Sequence, residues 1–525
     1  MIHQVLQEQF IGISKMGKII ETKINRFENG IITDPRLDII GVSQMIKNFD
    51  AYTYPVKLIP HRSLVSGDSG ASTSQKQNFC IALRTGTTYS LYALGVKSGA
   101  TTAEVLYKDL TTSASNDLGD AGWATPTANQ SATGTLTSFK LFVYYKLANL
   151  IIGARDSTHL WAFSPSGSAW SDTWQTLTYT NIAQGIVHSV DDILYIPYDN
   201  KIAKYNHTGT SFVAPVLTLP SQYIITSICE YGNYLAIACA PLSGIGNSRV
   251  FLWDRDSTIT TLSESIDWGE GNVINLEEIE GMLIGVSNLT SATLQNITIN
   301  NKIVIRYYNG GVATILTEVY DEAGGANFVL SLKQKINQAL YTYFVATIDG
   351  TTHRGIWRIG RNKNGKFTLT LDRTITNTEG NTPCKAFIKV GDYYVIAYTL
   401  SDVFYVNKTD SSANYTTGTY ESQIFNGGDA SLKKKLVGIS ATFEPLATAG
   451  EVKVYYKIDA ESSYTLIFDE TTDNAISHSS INIESSGASL PDDYKEIQFK
   501  IESLGGAVIT SLTFKEEILG KRIYE

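Results

Sequence analysis

The sequence predicts an all-β protein: a β-propeller of about seven blades, with an N-terminal arm before it and a C-terminal β-sandwich after it. Three observations support this prediction. The composition favours strands and turns, one hairpin pattern recurs along most of the chain, and that pattern stops near Gly427 and Gly428. The predicted boundaries are 1–48 for the arm, 49–420 for the propeller and 421–525 for the sandwich.

The composition favours β-structure in a chain of several domains. The 525 residues exceed one ordinary core, and 43% of them are hydrophobic, which is enough for sizeable packed interiors. The 30 tyrosines suit half-buried pleated surfaces, and the 42 glycines suit tight turns. A formal net charge of -9 gives no general attraction for phosphate backbones or anionic lipid, so neither nucleic acid nor a membrane is expected as a partner.

A repeated hairpin predicts the propeller. In each copy a short apolar strand is followed by a tight polar turn and a strongly apolar strand. The turns contain Gly, Asn or Asp, which tolerate the positive φ of hairpin turns. Copies at the spacing of four-stranded blades, about 40 to 50 residues, indicate about seven blades, with six or eight left open. A set of sandwiches would also give hairpins but has no reason to repeat one pattern. The predicted turns are Asp191-Asp192, Gly232-Asn233, Glu280-Gly281, Gly391-Asp392, Ala148-Asn149, Asn337-Gln338 and Gln77-Asn78.

Further strands complete the predicted blades. Alternating runs at 258–262 and 367–371 are typical of outer strands with one wet face. The segment 48–60 could supply the missing outer strand of the last blade and so close the ring. A third strand follows six of the hairpins, at 159–163, 201–205, 249–253, 302–307, 355–359 and 402–406.

No pattern in the sequence predicts catalysis, a cofactor or a metal site. The seven histidines stand alone, and the four cysteines form neither a CxxC pair nor a disulfide framework. Cys80 and Cys239 lie in apolar runs and are expected to be buried free thiols, which fits folding in a reducing cytoplasm. The basic run from Lys433 to Lys435 is interpreted as a solvated connector. The sequence shows no secretory signal and no apolar stretch of membrane-spanning length.

A propeller glycosidase is one alternative, because such enzymes need paired carboxylates facing one site. Asp254 and Asp256, which flank Arg255, are more typical of a solvated turn. The run 164–170 is similar to a sialidase Asp-box, but Ser166 replaces its aspartate. The candidate carboxylates are Asp254, Asp256, Glu264 and Asp267.

A receptor- or glycan-binding adhesin is the other alternative. Aromatic faces stack on sugar rings, so Trp170 and Trp174 are the candidate glycan contacts. Packing within the blades is the competing and simpler interpretation of both tryptophans.

Two regions resemble structural proteins of tailed bacteriophages. The stretches 29–36, 45–50 and 54–63 resemble the opening of a group of these proteins. The stretches 420–425, 433–439, 452–457 and 497–501 are similar to the β-sandwich that ends many phage tail and tail-vertex proteins. The resemblance implies a non-enzymatic virion component without a cofactor, made in the host cytoplasm. It also implies neighbouring virion proteins as partners and a homo-oligomeric ring or a place on the tail.

Overall fold

Every regular element of the described residues is a β-strand, as the sequence predicts. A computed structural model describes residues 18–27, 30–31, 42–53, 56–66, 74–97, 103–109, 140–166, 169–242, 246–258, 262–289, 293–294, 297–298, 302–320, 333–348, 351–365, 367–375, 384–390, 393–400, 403–409 and 415–520. Nothing in these ranges forms a helix of the length and apolarity that crossing a membrane takes.

The chain divides into two compact units. The sandwich unit comprises Met1–Ser63, Arg358–Thr374 and Ser412–Glu525, and the propeller unit comprises Leu64–Trp357 and Ile375–Ser411. The three predicted domain ranges stay a prediction, and each unit is described by itself.

The described part of the propeller unit forms seven blades that follow the predicted plan, six of them separate sheets and the sixth, β26–β28, part of a larger sheet. The first blade consists of β5 (Ser74–Thr85), β6 (Thr88–Lys97) and β7 (Ala103–Asp109), and the second consists of β8 (Phe142–Tyr145), β9 (Leu150–Ala154), β10 (His159–Ser164) and β11 (Ala169–Thr176). The third blade consists of β12 (Ile186–Val187), β13 (Leu194–Tyr198), β14 (Lys201–Asn206) and β15 (Ser211–Thr218). The fourth consists of β16 (Tyr223–Tyr231), β17 (Tyr234–Pro241), β18 (Asn247–Trp253) and β19 (Glu264–Glu270).

The remaining blades repeat this antiparallel order. The fifth is β20 (Asn272–Ile279), β21 (Met282–Leu289), β24 (Lys302–Tyr308) and β25 (Thr314–Tyr320), with the small hairpin of β22 (Thr293–Leu294) and β23 (Ile297–Thr298) between β21 and β24. The sixth is β26 (Lys333–Ile336), β27 (Ala339–Ile348) and β28 (Thr351–Arg361), of which 351–357 belong to this unit; the seventh is β30 (Cys384–Val390), β31 (Tyr393–Leu400), β32 (Val403–Thr409) and β4 (Leu64–Ser66).

Neighbouring blades pack face to face until the last meets the first. Tyr92 of the first blade and Trp161 of the second share one buried cluster, and three further clusters join the second to the fifth blade. The Asn275 amide donates to Thr342 Oγ1 (2.8 Å) between the fifth and sixth blades. Leu91 and Val395 lie in the cluster that joins the seventh blade to the first. Another buried cluster joins the sixth blade to the seventh, so the ring is closed.

The strand that completes the seventh blade comes from the chain before the first blade, as predicted, but from a different segment. Leu64 pairs with Thr409 and Ser66 with Asn407, so β4 is the outer strand. The predicted segment 48–60 was wrong because it belongs to the sandwich unit, where Leu58 forms a bridge to Ile509.

Two other local predictions were wrong. Gln77-Asn78 lies inside β5, where the register shifts at a β-bulge, and the hairpin of the first blade turns at Gly86 with φ +55 instead. The outer strand of the fourth blade is β19 rather than 258–262, of which 259–261 lie outside the described residues. The predicted turn Gly391-Asp392 also lies outside them.

The sandwich unit has two sheets. One runs β1-β40-β34-β37 with β38 on β34, and the other, within this unit, runs β29-β3-β33-β39-β35-β36 with β2 on β3. The aromatic rings of Phe499 and Phe514 meet between the sheets with centroids 4.6 Å apart. The strands are β1 (Ile19–Ile24), β2 (Gly30–Ile31), β3 (Val42–Lys47), β29 (Phe367–Thr374), β33 (Gly418–Ser422), β34 (Lys433–Phe443), β35 (Glu451–Ile458), β36 (Thr465–Glu470), β37 (Ser477–Ser480), β38 (Asp492–Tyr494), β39 (Ile497–Leu504) and β40 (Ile509–Gly520).

The lysine run is not a solvated connector. It begins β34, and Lys434 is 0% exposed, with its ammonium donating to the backbone carbonyls of Asp429, Leu432 and Lys495 at 2.8–3.0 Å. A lysine stem packs like an aliphatic chain once its charged end has partners. Burial lowers the pKa of Lys434, although the nearby Glu516 carboxylate acts to raise it.

A contact between a histidine and a carboxylate joins the two sheets at one edge of the sandwich unit. His478 on β37 stacks on the ring of Phe468 (4.2 Å) and contacts Glu470 on β36 (Nδ1 to Oε2, 2.7 Å). Burial acts to raise the pKa of Glu470, but hydrogen bonds from Thr472 and His478 outweigh it and lower that pKa to about 2.

The cysteines agree with their sequence environment. All four are free and buried, which confirms the expected state of Cys80 and Cys239. Burial raises the pKa of both thiols well above the ordinary value, so they are poor nucleophiles.

Candidate functional site

A cleft of about 620 Å³ lies between the first hairpins of the fourth and fifth blades. These hairpins join β16 to β17 and β20 to β21, so the cleft is formed by the same part of two neighbouring blades. The side chains and backbone that line it are Glu230, Tyr231, Gly232, Asn233, Tyr234, Glu278 and Gly281.

Both hairpins turn as the repeat predicts. Gly232 has φ +57, and Glu280 and Gly281 have φ +50 and +81, which are left-handed conformations. A Cβ on either glycine would meet nothing within 4 Å, so the turn geometry rather than close packing favours glycine here. The tight turns leave the mouth of the cleft open to solvent, with Tyr234 36% exposed.

The two carboxylates of the cleft are held differently. Glu230 accepts hydrogen bonds from the Ser189 amide (2.6 Å) and hydroxyl (2.7 Å), which are both neutral donors. Glu278 accepts from the Gly281 amide and from the Lys335 ammonium. The charge of Glu278 is therefore balanced, whereas both carboxylate oxygens of Glu230 are bonded to Ser189 of the third blade.

The aromatic wall of the cleft lies in a negative field. The Tyr231 ring packs edge-on against Tyr308 (6.3 Å), whose hydroxyl donates to Glu264 (2.7 Å). Burial raises the pKa of Tyr231, and the Glu264 and Glu278 carboxylates raise it further. One of these two carboxylates, Glu278, is paired with Lys335.

The neighbouring junction, between the third and fourth blades, contains an arginine. Arg255 Nη1 donates to Asp191 Oδ2 (2.5 Å) and to His188 Nδ1 (3.0 Å). Its Nε and Nη2 donate to the Asn233 carbonyl at 3.2 and 2.9 Å. One guanidinium thus ties together the first hairpins of two blades.

The tryptophans that the sequence suggests as glycan contacts lie on the outer strand of the second blade. Trp170 stacks on Trp161 (4.7 Å, 16° between planes), and Trp174 packs edge-on against Tyr205 (4.7 Å). Both are half-buried, and neither lines the cleft. Contact of Trp170 and Trp174 with a glycan stays a prediction.

The four candidate carboxylates are engaged in local hydrogen bonds, and none lines the cleft. Asp254 accepts from the Asp256 amide, and Asp256 accepts from the amide and hydroxyl of Thr258, which is the bonding of a polar turn. Glu264 accepts from Tyr308, and Asp267 accepts from the Gly269 amide and the Asn247 side chain. In the described ranges, no three or more His, Cys, Asp and Glu side chains are grouped to hold a metal ion.

No protein-family model matches the chain, and no curated protein sequence matches it. Among solved structures, the N-terminal domain of Nup159 is similar with a TM-score of 0.40 and 10% identity, covering 70% of this chain and 99% of that one. The Dos1 propeller is similar with a TM-score of 0.36 and 12% identity, covering 75% of this chain and 94% of that one. The propeller assignment rests on the closed ring of seven blades.

Proposed function

We propose that this protein is a non-enzymatic structural component of a tailed-phage virion, in the tail or at the tail vertex. The supporting observation is that the two regions that resemble tailed-phage structural proteins belong to one compact unit. They also pair directly. In one sheet, β3 of the first region pairs with β33 of the second, β33 pairs with β39, and β39 pairs with β35.

The construction of the sandwich unit suits a part that resists mechanical force. Three separate chain segments contribute to it, and the ladder between β3 and β33 joins residues as distant in sequence as Lys47 and Thr419. Asn48 strengthens this join, because its side chain donates to the Thr417 carbonyl (3.0 Å) and accepts from the Thr374 amide (2.9 Å). Opening such a unit requires breaking several ladders at once.

The proposal carries expectations for partners and location. Neighbouring virion proteins contact the chain, copies of it form a ring, and it needs no cofactor. It is made in the host cytoplasm and ends in the virion, without contacts to nucleic acid or membrane. A rigid propeller that presents loops on two faces suits such an adaptor.

Quantitative mass spectrometry of purified virus particles from the source tests the proposal. We expect the protein at a fixed number of copies per particle, unchanged through a second density gradient, while host cytoplasmic proteins decrease. Negative-stain images of the purified protein should show rings of the same copy number. Loss of the protein on repurification would refute the proposal. Glycan-array binding that disappears in the Trp170→Ala/Trp174→Ala double variant would then support an adhesin.

A further inference from the structure

One sheet of the sandwich unit has two open edges. Among the described residues, β1 pairs with β40 alone and β37 pairs with β34 alone, so the order β1-β40-β34-β37 leaves one side of each outer strand without a partner. An open edge presents a row of unpaired backbone N–H and C=O groups, onto which another strand can pair. The chemistry of such a site therefore specifies a β-strand as its ligand.

The two edges run in compatible directions. Each step of the order β1-β40-β34-β37 is antiparallel, so β1 and β37 point in opposite directions. If β37 of one copy of the chain lies beside β1 of a second copy in the same plane, the new pair is antiparallel as well. The sheet would then continue from copy to copy in the pattern that it already has.

The outward backbone groups of the two edges also correspond. The Ile518 amide donates to the Lys18 carbonyl, and the Phe443 amide donates to the Ile476 carbonyl, both at 3.0 Å. Because residues that bond to the partner alternate with residues that do not, the next residue in each strand directs its backbone groups outward. These outward residues, whose side chains are all exposed, are Ile19, Glu21 and Lys23 in β1 and Ser477 and Ser479 in β37.

The spacing of isoleucines selects one register for the pair. Ile19, 60% exposed, begins β1, and Ile24 ends it. Ile476 and Ile481, 60% and 69% exposed, flank β37. Both pairs of isoleucines are five positions apart. An antiparallel alignment that places Ile19 beside Ile481 therefore also places Ile24 beside Ile476, and apolar contacts form at both ends of the ladder.

The same register opposes no like charges. Glu21 and Lys23 are the charged residues of β1, and they would lie opposite Ser479 and Ser477 of the neighbouring copy. Like charges directly opposite each other would destabilise the pair. Open edges of soluble proteins are usually protected by charged residues or proline, whereas β37 contains no Lys, Arg, Asp, Glu or Pro. This edge therefore suits pairing with another strand.

We propose that β37 of one copy of this chain pairs with β1 of the next copy, so that neighbouring copies join head to tail. A contact between two different edges is heterologous, and it generates a ring when the rotation between copies closes. It also uses both edges of every copy, whereas pairing of two β37 strands or of two β1 strands would leave one edge of each copy open. The inference deepens the ring expected under the proposed function and rests on that expectation.

Cross-linking between two cysteine variants of the full chain tests the pairing. Glu21→Cys and Ser479→Cys place thiols at opposite positions of the proposed ladder, while the native cysteines are buried. With a short bismaleimide, we expect a cross-linked dimer when the two differently tagged variants are co-expressed, and none from either variant alone. Cross-linking of one variant alone would indicate two-fold pairing and overturn the proposal. A co-expressed pair without a cross-link would also overturn it.

Variants of the edge test whether the ring depends on this pairing. Ser479→Pro removes an outward backbone donor and keeps the bonds to β34, so light scattering should show monomers instead of a ring, and Ser479→Ala should keep the ring. The Ile19→Glu/Ile481→Glu double variant places two carboxylates opposite each other at exposed positions and should also lose the ring. A ring that survives in a folded Ser479→Pro protein or in the double variant would overturn the proposal.

The outcomes separate this inference from the virion role. If the protein is present at a fixed number of copies per virus particle but gives no cross-link, the pairing is refuted and the virion role stands. If the cross-link forms in a protein that is absent from purified particles, the pairing stands and the virion role is refuted.

Discussion

Replacing Lys434 by methionine tests whether the sandwich unit depends on a buried charge. The substitution keeps an unbranched apolar stem and removes the ammonium that donates to three backbone carbonyls. Those carbonyls belong to residues that are exposed or half-buried, and they would lose their donor. Glu516, 1% exposed, would keep its bond from Tyr494 (2.9 Å) but lose the nearby positive charge. Methionine has neither a hydrogen-bond donor nor a positive charge, so it cannot replace these interactions.

The expected loss follows from the way the charge is held. A hydrogen bond to a charged group is worth about 1.5–3 kcal/mol, so three bonds give a gross contribution of roughly 4.5–9 kcal/mol. Part of this contribution is offset, since the methionine variant no longer bears the desolvation cost of a buried ammonium group. Removing one partner from a buried ionic network costs about 3–5 kcal/mol, and we expect Lys434→Met to fall in that range.

Lys433→Met is the matched control. Lys433 and its partner Asp493 are 33% and 50% exposed, so losing this pair should cost under about 1 kcal/mol. Urea unfolding gives the stability difference between the variants. Because the chain has two units, hydrogen exchange in β34 and β40 must show that the loss lies in the sandwich unit. Equal stabilities of the two variants would refute the role assigned to Lys434.

Three further predictions concern other packed or paired groups. Gly285→Ala places a Cβ 2.6 Å from the Trp268 ring, so it should destabilise the propeller unit by about 1–3 kcal/mol in thermal unfolding. Glu470→Gln should lower the melting temperature at pH 6 but not near pH 2. The lowered pKa of Glu470 contributes its full stability above about pH 4.5, and this contribution is lost as the pH falls through about 2. A difference in melting temperature that does not depend on pH would contradict this. Trp170→Ala should cost about 3 kcal/mol of stability, since its ring stacks on Trp161 and packs against the cluster that joins the first two blades; unchanged stability would favour a surface contact instead.

The fold was predictable where local chemistry determines it. The hairpin turns at Asp192, Glu280 and Asn337 have φ of +51, +50 and +47, and few residue types tolerate this conformation. The same chemistry explains the error in the first blade. Asn78 serves a β-bulge rather than a turn, and both features favour the same polar residues. Which of the two forms depends on the partner strand.

The burial of Lys434 was not predictable from the lysine run. Three adjacent lysines look solvated because burying an ammonium is costly without partners. Its partners come from Asp429 and Leu432 nearby and from Lys495, sixty-one positions further along the chain. A sequence shows the charge but not the carbonyls that the fold gathers around it.

The cleft illustrates a different limit, because its sequence signal was present in the repeat itself. The same place in three successive blades holds His207, Arg255 and Gly310, as the pairing of the third strands shows. His207 packs edge-on against Tyr145 of the preceding blade, and Arg255 bonds to Asp191 of its own preceding blade. Gly310 has no side chain to reach the fourth blade. A search for motifs misses this position because glycine in a turn is ordinary. In a repeat protein, the informative comparison is therefore between equivalent positions of successive blades.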